Sequence, residues 1–153
     1  MLSVAVGFTS VDDDLYREII LDHYRHPRRR GAVEGADGTL EADNPLCGDQ
    51  IQLSWRLDGD SLAEIGFTGK GCSISLAAAS MLCDRVAGLS RQQALDLAWS
   101  YRRMLVADGG SDGLGDLEAL QGVRAYPVRV KCATLACNAI LRALGATKEG
   151  DVA

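Results

Sequence analysis

Ile51-Gln52-Leu53-Ser54-Trp55-Arg56-Leu57-Asp58 decides the fold. Apolar residues alternate with polar ones along it, which is the period of a strand with one face buried. Asp58-Gly59-Asp60 then supplies a turn, and Leu62 to Thr68 reads as the returning partner strand. Upstream, Thr39 to Asp43 reads as a short strand leading into Cys47-Gly48-Asp49. Downstream the period turns helical: Ile74 to Val86 is rich in Ala, Leu and Met, and Gly88 ends it. The expected architecture is therefore α+β, a three-stranded antiparallel sheet with helices packed on it.

Further helices flank this centre. Leu15, Ile19 and Ile20 recur at helical spacing behind Asp12-Asp13-Asp14, which are expected at the helix N-terminus, where they can cap its free N–H groups, and Pro27 stops the helix. Residues 1–11 read as a loose leader, and Gly31 to Gly38 as a glycine-rich connection. Ser90 with Gln93 forms a capping box for a helix that carries Leu95, Ala98, Trp99, Arg102 and Met104. Residues 106–128, rich in Gly and Asp, read as an insertion that breaks the pattern, with a short helix at Leu117 to Leu120. A last helix spans about Arg129 to Leu144, closed by Gly145, and 146–153 reads as a frayed tail. Nothing in the pattern marks a linker or a repeat, so residues 1–153 are expected to form one domain, with its core over 15–145.

Composition narrows the function. A chain of 153 residues, 47% hydrophobic and 24% charged, can bury a core without help from metals or disulfides. A formal net charge of −5 argues against a nucleic-acid partner, since only Arg25-His26-Pro27-Arg28-Arg29-Arg30 is locally basic. Met1 to Phe8 lacks the features of a secretory signal, and no run approaches the length of a membrane helix. The expectation is a cytoplasmic protein, in which five cysteines read as metal ligands or reactive thiols before disulfides.

Three of those cysteines have settings suited to an ion. Gly48 lets the backbone bend so that Cys47 and Asp49 can face one point. Cys72 lies where strand passes into helix, and Cys132 is expected in the first turn of the last helix. Helix N-termini favour thiolates there, with Lys70, Arg129 and Lys131 as nearby cations. Three thiolates and a carboxylate suit tetrahedral zinc, and the carboxylate makes the site easier to open than a four-thiolate one. The long intervals between the cysteines match no zinc-finger spacing, so the residues alone leave a shared metal open. Cys83 and Cys137 read as small buried hydrophobes, Trp55 and Trp99 as core, and His23 and His26 as solvated or capping. Gly66-Phe67-Thr68-Gly69-Lys70-Gly71 has the wrong spacing for a phosphate loop.

Four ordered segments resemble the IscU/NifU N-terminal scaffold family. They are Leu15-Tyr16-x-x-Ile19-Ile20-Leu21-Asp22-His23-Tyr24-x-x-Pro27, Asn44-Pro45-x-Cys47-Gly48-Asp49, Gly69-x-Gly71-Cys72-Ser73-Ile74-Ser75 and Arg129-x-Lys131-Cys132-Ala133-x-Leu135. Within that family the chain resembles the SufU-type branch, because Lys131 stands where the IscU branch has a histidine and because of the 106–128 insertion. The resemblance implies zinc bound by Cys47, Asp49, Cys72 and Cys132, and sulfur accepted from a SufS-type, pyridoxal-phosphate cysteine desulfurase. It further implies that a partner histidine takes a place on the metal and frees Cys47 to receive the persulfide sulfur. Arg129, with Lys131 beside it, matches the docking position, and SufBCD-type cluster assembly machinery is the implied recipient. An alternative role on the same four residues is a scaffold for a transient 2Fe–2S cluster, and a third is a purely structural zinc module.

Overall fold

A computed structural model describes residues 2–107 and 109–145, with side chains from residue 14 onward. Strands β1 (Gly38–Asn44), β2 (Asp49–Asp58) and β3 (Ser61–Lys70) form an antiparallel meander in the order β1-β2-β3. The register sets Leu40 opposite Leu53, and Leu53 opposite Phe67. These three lie on one face, where Ile51, Leu53, Ile65 and Phe67 are buried. The alternation at 51–58 thus holds at its start, but the strand slips register between Arg56 and Leu57, and Leu57 is exposed at the sheet's end.

Helices α1 (Leu2–Arg25), α2 (Ser73–Val86), α3 (Arg91–Val106) and α4 (Pro127–Ala143) complete the expected α+β fold. Their apolar faces and the sheet's inner face enclose one continuous core, in which α2 and α4 are buried along most of their lengths. The capping box of α3 is present: Ser90 Oγ accepts from Gln93 N–H at 3.1 Å, and Gln93 Oε1 accepts from Ser90 N–H at 3.1 Å.

Three boundaries differ from expectation. Helix α1 begins at Leu2, so it runs through the stretch expected to be a loose leader, and Asp12 to Asp14 lie inside it instead of capping it. No proline precedes Pro27, so nothing sterically prevents the helical ladder from extending backward. Helix α4 begins at Pro127, two residues before Arg129, with the proline in the first-turn position where a missing N–H costs nothing. The 106–128 segment carries a 3-10 helix, Gly115–Ala125, longer than the short helix expected there. The frayed tail expected over 146–153 lies outside the described residues.

Candidate metal centre

The β1–β2 turn places the first two functional groups. Asn44 pairs with Asp49 across the hairpin, and Pro45 to Gly48 make the connection. The Asn44 carbonyl accepts from Cys47 N–H at 3.2 Å and Gly48 N–H at 2.9 Å, while its side-chain oxygen accepts from Leu46 N–H at 3.3 Å. Gly48 takes φ +73°, a conformation that glycine adopts without a side-chain clash. Cys47 is therefore exposed on the turn, while Asp49, two residues on, is 0% exposed.

Asp49 is held by the strand-to-helix junction. Its Oδ1 accepts from the backbone N–H of Cys72 at 2.9 Å. Cys72 caps α2, and its sulfur accepts from Ser75 N–H at 3.5 Å, as expected for a thiol at a helix N-terminus. Gly71 makes room for this: a Cβ there would stand 2.5 Å from both Asp49 Oδ1 and Ser75 Oγ.

Cys132 is placed differently from expectation. Because α4 starts at Pro127, Cys132 lies in its second turn, past the free N–H groups, and the helix-terminus argument for its thiolate does not apply. It is 1% exposed, with its Sγ 3.2 Å from Cys47 Sγ and 3.7 Å from the Val128 carbonyl oxygen. Asn44 Nδ2 donates toward the same sulfur at 3.8 Å. Burial pushes the Cys132 thiol up, and its neighbours Cys47, Asp49 and Cys72 push it further in the same direction.

The fold thus gathers Cys47, Asp49 and Cys132, whose ligand atoms lie within 4.8 Å of one another. Cys72 stands at the margin of this trio, next to Asp49 and felt by Cys132. A metal fits this set on one specific observation: Asp49 Oδ2 is buried and has no hydrogen-bond partner. A buried carboxylate oxygen left bare is costly, and a cation would satisfy it. Sulfur donors with one carboxylate are the chemistry of zinc and of iron–sulfur sites.

The cations expected to compensate this charge stay outside. Lys70, Arg129 and Lys131 are exposed, and no hydrogen bond among the described residues ties them to the sulfurs or to Asp49. The inward-facing positive ends belong to the Cys72 and Ser75 N–H groups and the Asn44 amide. Lys131 instead borders a groove of about 640 Å³ beside the turn, with Asn44, Pro45, Arg124 and Val130.

The remaining candidates resolve clearly. Cys83 and Cys137 are fully buried, burial pushes each thiol up to about 12, and Cys137 Sγ lies 3.2 Å from the Ala98 carbonyl oxygen. His23, expected to be solvated or capping, is buried, and its Nδ1 bonds Ser80 Oγ at 2.7 Å. In the basic run, Arg28 pairs with Asp22 at 2.7 Å and Arg29 with Asp84 at 3.4 Å. Sequence reasoning treated Asn44 and Gly71 only as parts of motifs; a polar residue before Pro-x-Cys and a glycine before a capping cysteine were the signals available.

Fold and site together define an α+β domain with a thiol–carboxylate cluster between an exposed hairpin turn and two helices. The NifU-like N terminal domain family matches residues 15–149, and the chain belongs to it. It is 38% identical over 148 residues to the zinc-dependent sulfurtransferase SufU of Bacillus subtilis (strain 168), covering 95% of this chain and 100% of that one. It is 39% identical over 132 residues to the iron–sulfur cluster assembly scaffold protein IscU of Streptococcus pyogenes serotype M1, covering 85% of this chain and 82% of that one. Among solved structures, the SUF-system protein FiSufU from Fervidobacterium islandicum AW-1 superposes with a TM-score of 0.79 at 30% identity. That superposition covers 83% of this chain and 94% of the other. No described helix is long and apolar enough to cross a membrane.

Proposed function

We propose that this chain is a zinc-dependent sulfur acceptor for iron–sulfur cluster assembly, taking persulfide sulfur from a SufS-type cysteine desulfurase onto Cys47. The observation that carries this reading is the pairing of an exposed thiol, Cys47, with a buried thiol and a bare buried carboxylate beneath it. Membership of the family and the likeness to SufU support it.

Cys47, Asp49, Cys72 and Cys132 would hold the metal. Zinc bound there keeps thiols deprotonated at neutral pH and offsets the Asp49 charge. The chain's own residues divide the remaining work. The hairpin turn presents Cys47 so that its sulfur can attack the outer sulfur of the desulfurase persulfide. The Cys47 persulfide forms as the desulfurase cysteine leaves as a thiolate. Asp49 stays below, out of water and fixed by Cys72 N–H. Around the turn, exposed Leu46, Tyr126 and Val128 offer apolar area to a docking partner, and exposed Arg129 and Lys131 offer positive charge. A cytoplasmic location and a SufBCD-type recipient accompany this reading.

Desulfurase turnover with and without the zinc-loaded protein tests it. Cysteine-dependent sulfide production should rise when the protein is added, and Cys47→Ala should abolish both the stimulation and the sulfur adduct. Unchanged turnover with either form would leave only a structural zinc module. The scaffold reading draws on the likeness to IscU. Anaerobic reconstitution separates the two, because a scaffold yields a stable 2Fe–2S cluster that passes intact to an apo-acceptor.

A further inference from the structure

We propose that the groove beside the β1–β2 turn binds a small thiol bearing carboxylates, which takes the sulfane sulfur from Cys47. This rests on Cys47 accepting that sulfur, and it names the class of molecule that receives it. Helix α4 separates two grooves. Arg129, Tyr126 and Ser73 line one of them, on the side of α1. Lys131 and Val130 line the other, of about 640 Å³, together with Arg102 of α3 and with Asp43, Asn44 and Pro45 where the turn begins. A groove of that volume suits a small molecule.

The charge of this groove runs against that of the chain. Arg102, Arg124 and Lys131 line it with one carboxylate, Asp43, in a chain whose formal net charge is −5. Arg102 is also set in place. Its Nε donates to Asn138 Oδ1 at 3.1 Å, and its guanidinium lies over the Trp99 ring, 5.8 Å from the centroid. Its two terminal nitrogens make no hydrogen bond among the described residues. A planar fork held along one edge and open along the other matches a planar carboxylate. Val106, Val130 and Leu135 add apolar wall for the carbon skeleton of the same molecule.

The groove adjoins the reacting sulfur. Asn44, part of its wall, reaches toward Cys132 Sγ at 3.8 Å, and Cys132 Sγ is 3.2 Å from Cys47 Sγ. Cys47 itself is exposed, two residues beyond Pro45. A thiol anchored here by its carboxylates is held next to Cys47 instead of meeting it from bulk solvent. The thiol loses its proton to water, and its sulfur attacks the outer sulfur of the Cys47 persulfide. A bond forms between those two sulfurs, and the bond from the outer sulfur to Cys47 Sγ breaks. Cys47 keeps that electron pair and leaves as a thiolate, the form in which it serves as a ligand. The hydrogen on the outer sulfur travels with it, so no oxidant or reductant is consumed. Asp49, Cys72 and Cys132 keep their places throughout.

The experiment takes the full-length, zinc-loaded protein, charges it with desulfurase and cysteine, and separates it from both. Intact mass then follows loss of the extra sulfur to mercaptosuccinate, a dicarboxylate thiol, and to uncharged 2-mercaptoethanol. The ratio of the two rates cancels any change in Cys47 itself. Arg102→Gln is expected to lower that ratio about tenfold, the worth of one hydrogen bond to a charged group. Asp43→Asn is expected to raise it severalfold by removing the opposing carboxylate, and it decides the matter should circular dichroism show that Arg102→Gln does not fold. Equal ratios in all three proteins would overturn the groove's role while leaving the acceptor reading intact. So would Arg102-dependent binding of a glutamate-rich peptide with no effect on the ratio, which would give the groove to a protein partner. A wild type that takes up no sulfur would instead overturn the acceptor reading and this inference with it.

Discussion

Asp49 is the residue on which the centre turns. One carboxylate oxygen is spent on the Cys72 N–H and the other is bare, so the side chain is at once a structural tie and an open ligand. Asp49→Asn preserves an acceptor for the N–H but removes the charge. Loss of an outer partner of a metal ligand costs about 10–100-fold in affinity, so loss of the carboxylate should cost no less. Competition against a chromophoric chelator should show that weakening while circular dichroism stays unchanged. Gly71→Ala acts on the same atoms from the other side, since its Cβ would meet Asp49 Oδ1 and Ser75 Oγ at 2.5 Å. Overpacking of this kind costs about 1–3 kcal/mol, readable as a lowered denaturation midpoint.

At the scale of elements, α1 and α2 are fastened by a small polar clasp. Ser80 Oγ bonds His23 Nδ1 at 2.7 Å and accepts from Arg28 N–H at 2.8 Å. Burial, with Arg28 adding to it, holds His23 below its ordinary value of 6.5. The sign follows directly: below 6.5 the unfolded chain binds this proton more readily than the folded one. The stability from His23 is therefore complete above 6.5 and drains away as pH falls through the lower folded value. Thermal midpoints taken across that range should fall with acidity, and His23→Gln should flatten the slope.

Elements with a clear period were the ones readable beforehand. The β2–β3 hairpin announced itself by alternation, and α3 by Ser90 and Gln93. The 3-10 helix was harder because its large buried residues, Leu117, Leu120 and Val123, recur every third position in a segment that follows a run of glycines and aspartates. That is the spacing of three residues per turn, which a search at the α-helical period passes over. Pro127 carried the true start of α4, and reading Arg129 as the start moved Cys132 wrongly into the first turn. The site itself was legible in its residue types but not in its distances. Nothing in the chain's one-dimensional pattern says that Cys132 touches Cys47, because that contact is made by the packing of α4 against the sheet.

Across the whole molecule the centre ties together segments far apart in the chain, the β1–β2 turn, the β3–α2 junction and α4. Unfolding would scatter these donors, so a metal that binds only the folded arrangement adds directly to global stability. At free zinc a hundredfold above its dissociation constant the gain is about 2.7 kcal/mol. For a chain of this size each kcal/mol moves the midpoint by about 2–4 °C, so zinc should raise Tm by roughly 5–10 °C and chelation should reverse it. Arg129 separates this linkage from docking, because it is exposed on α4 and bonded to no described donor of the site. Arg129→Ala should keep the full zinc-dependent rise in Tm while stimulation of desulfurase turnover drops severalfold. If the variant loses the thermal shift as well, Arg129 supports the centre itself, and the basic face of α4 has no separate role in partner binding.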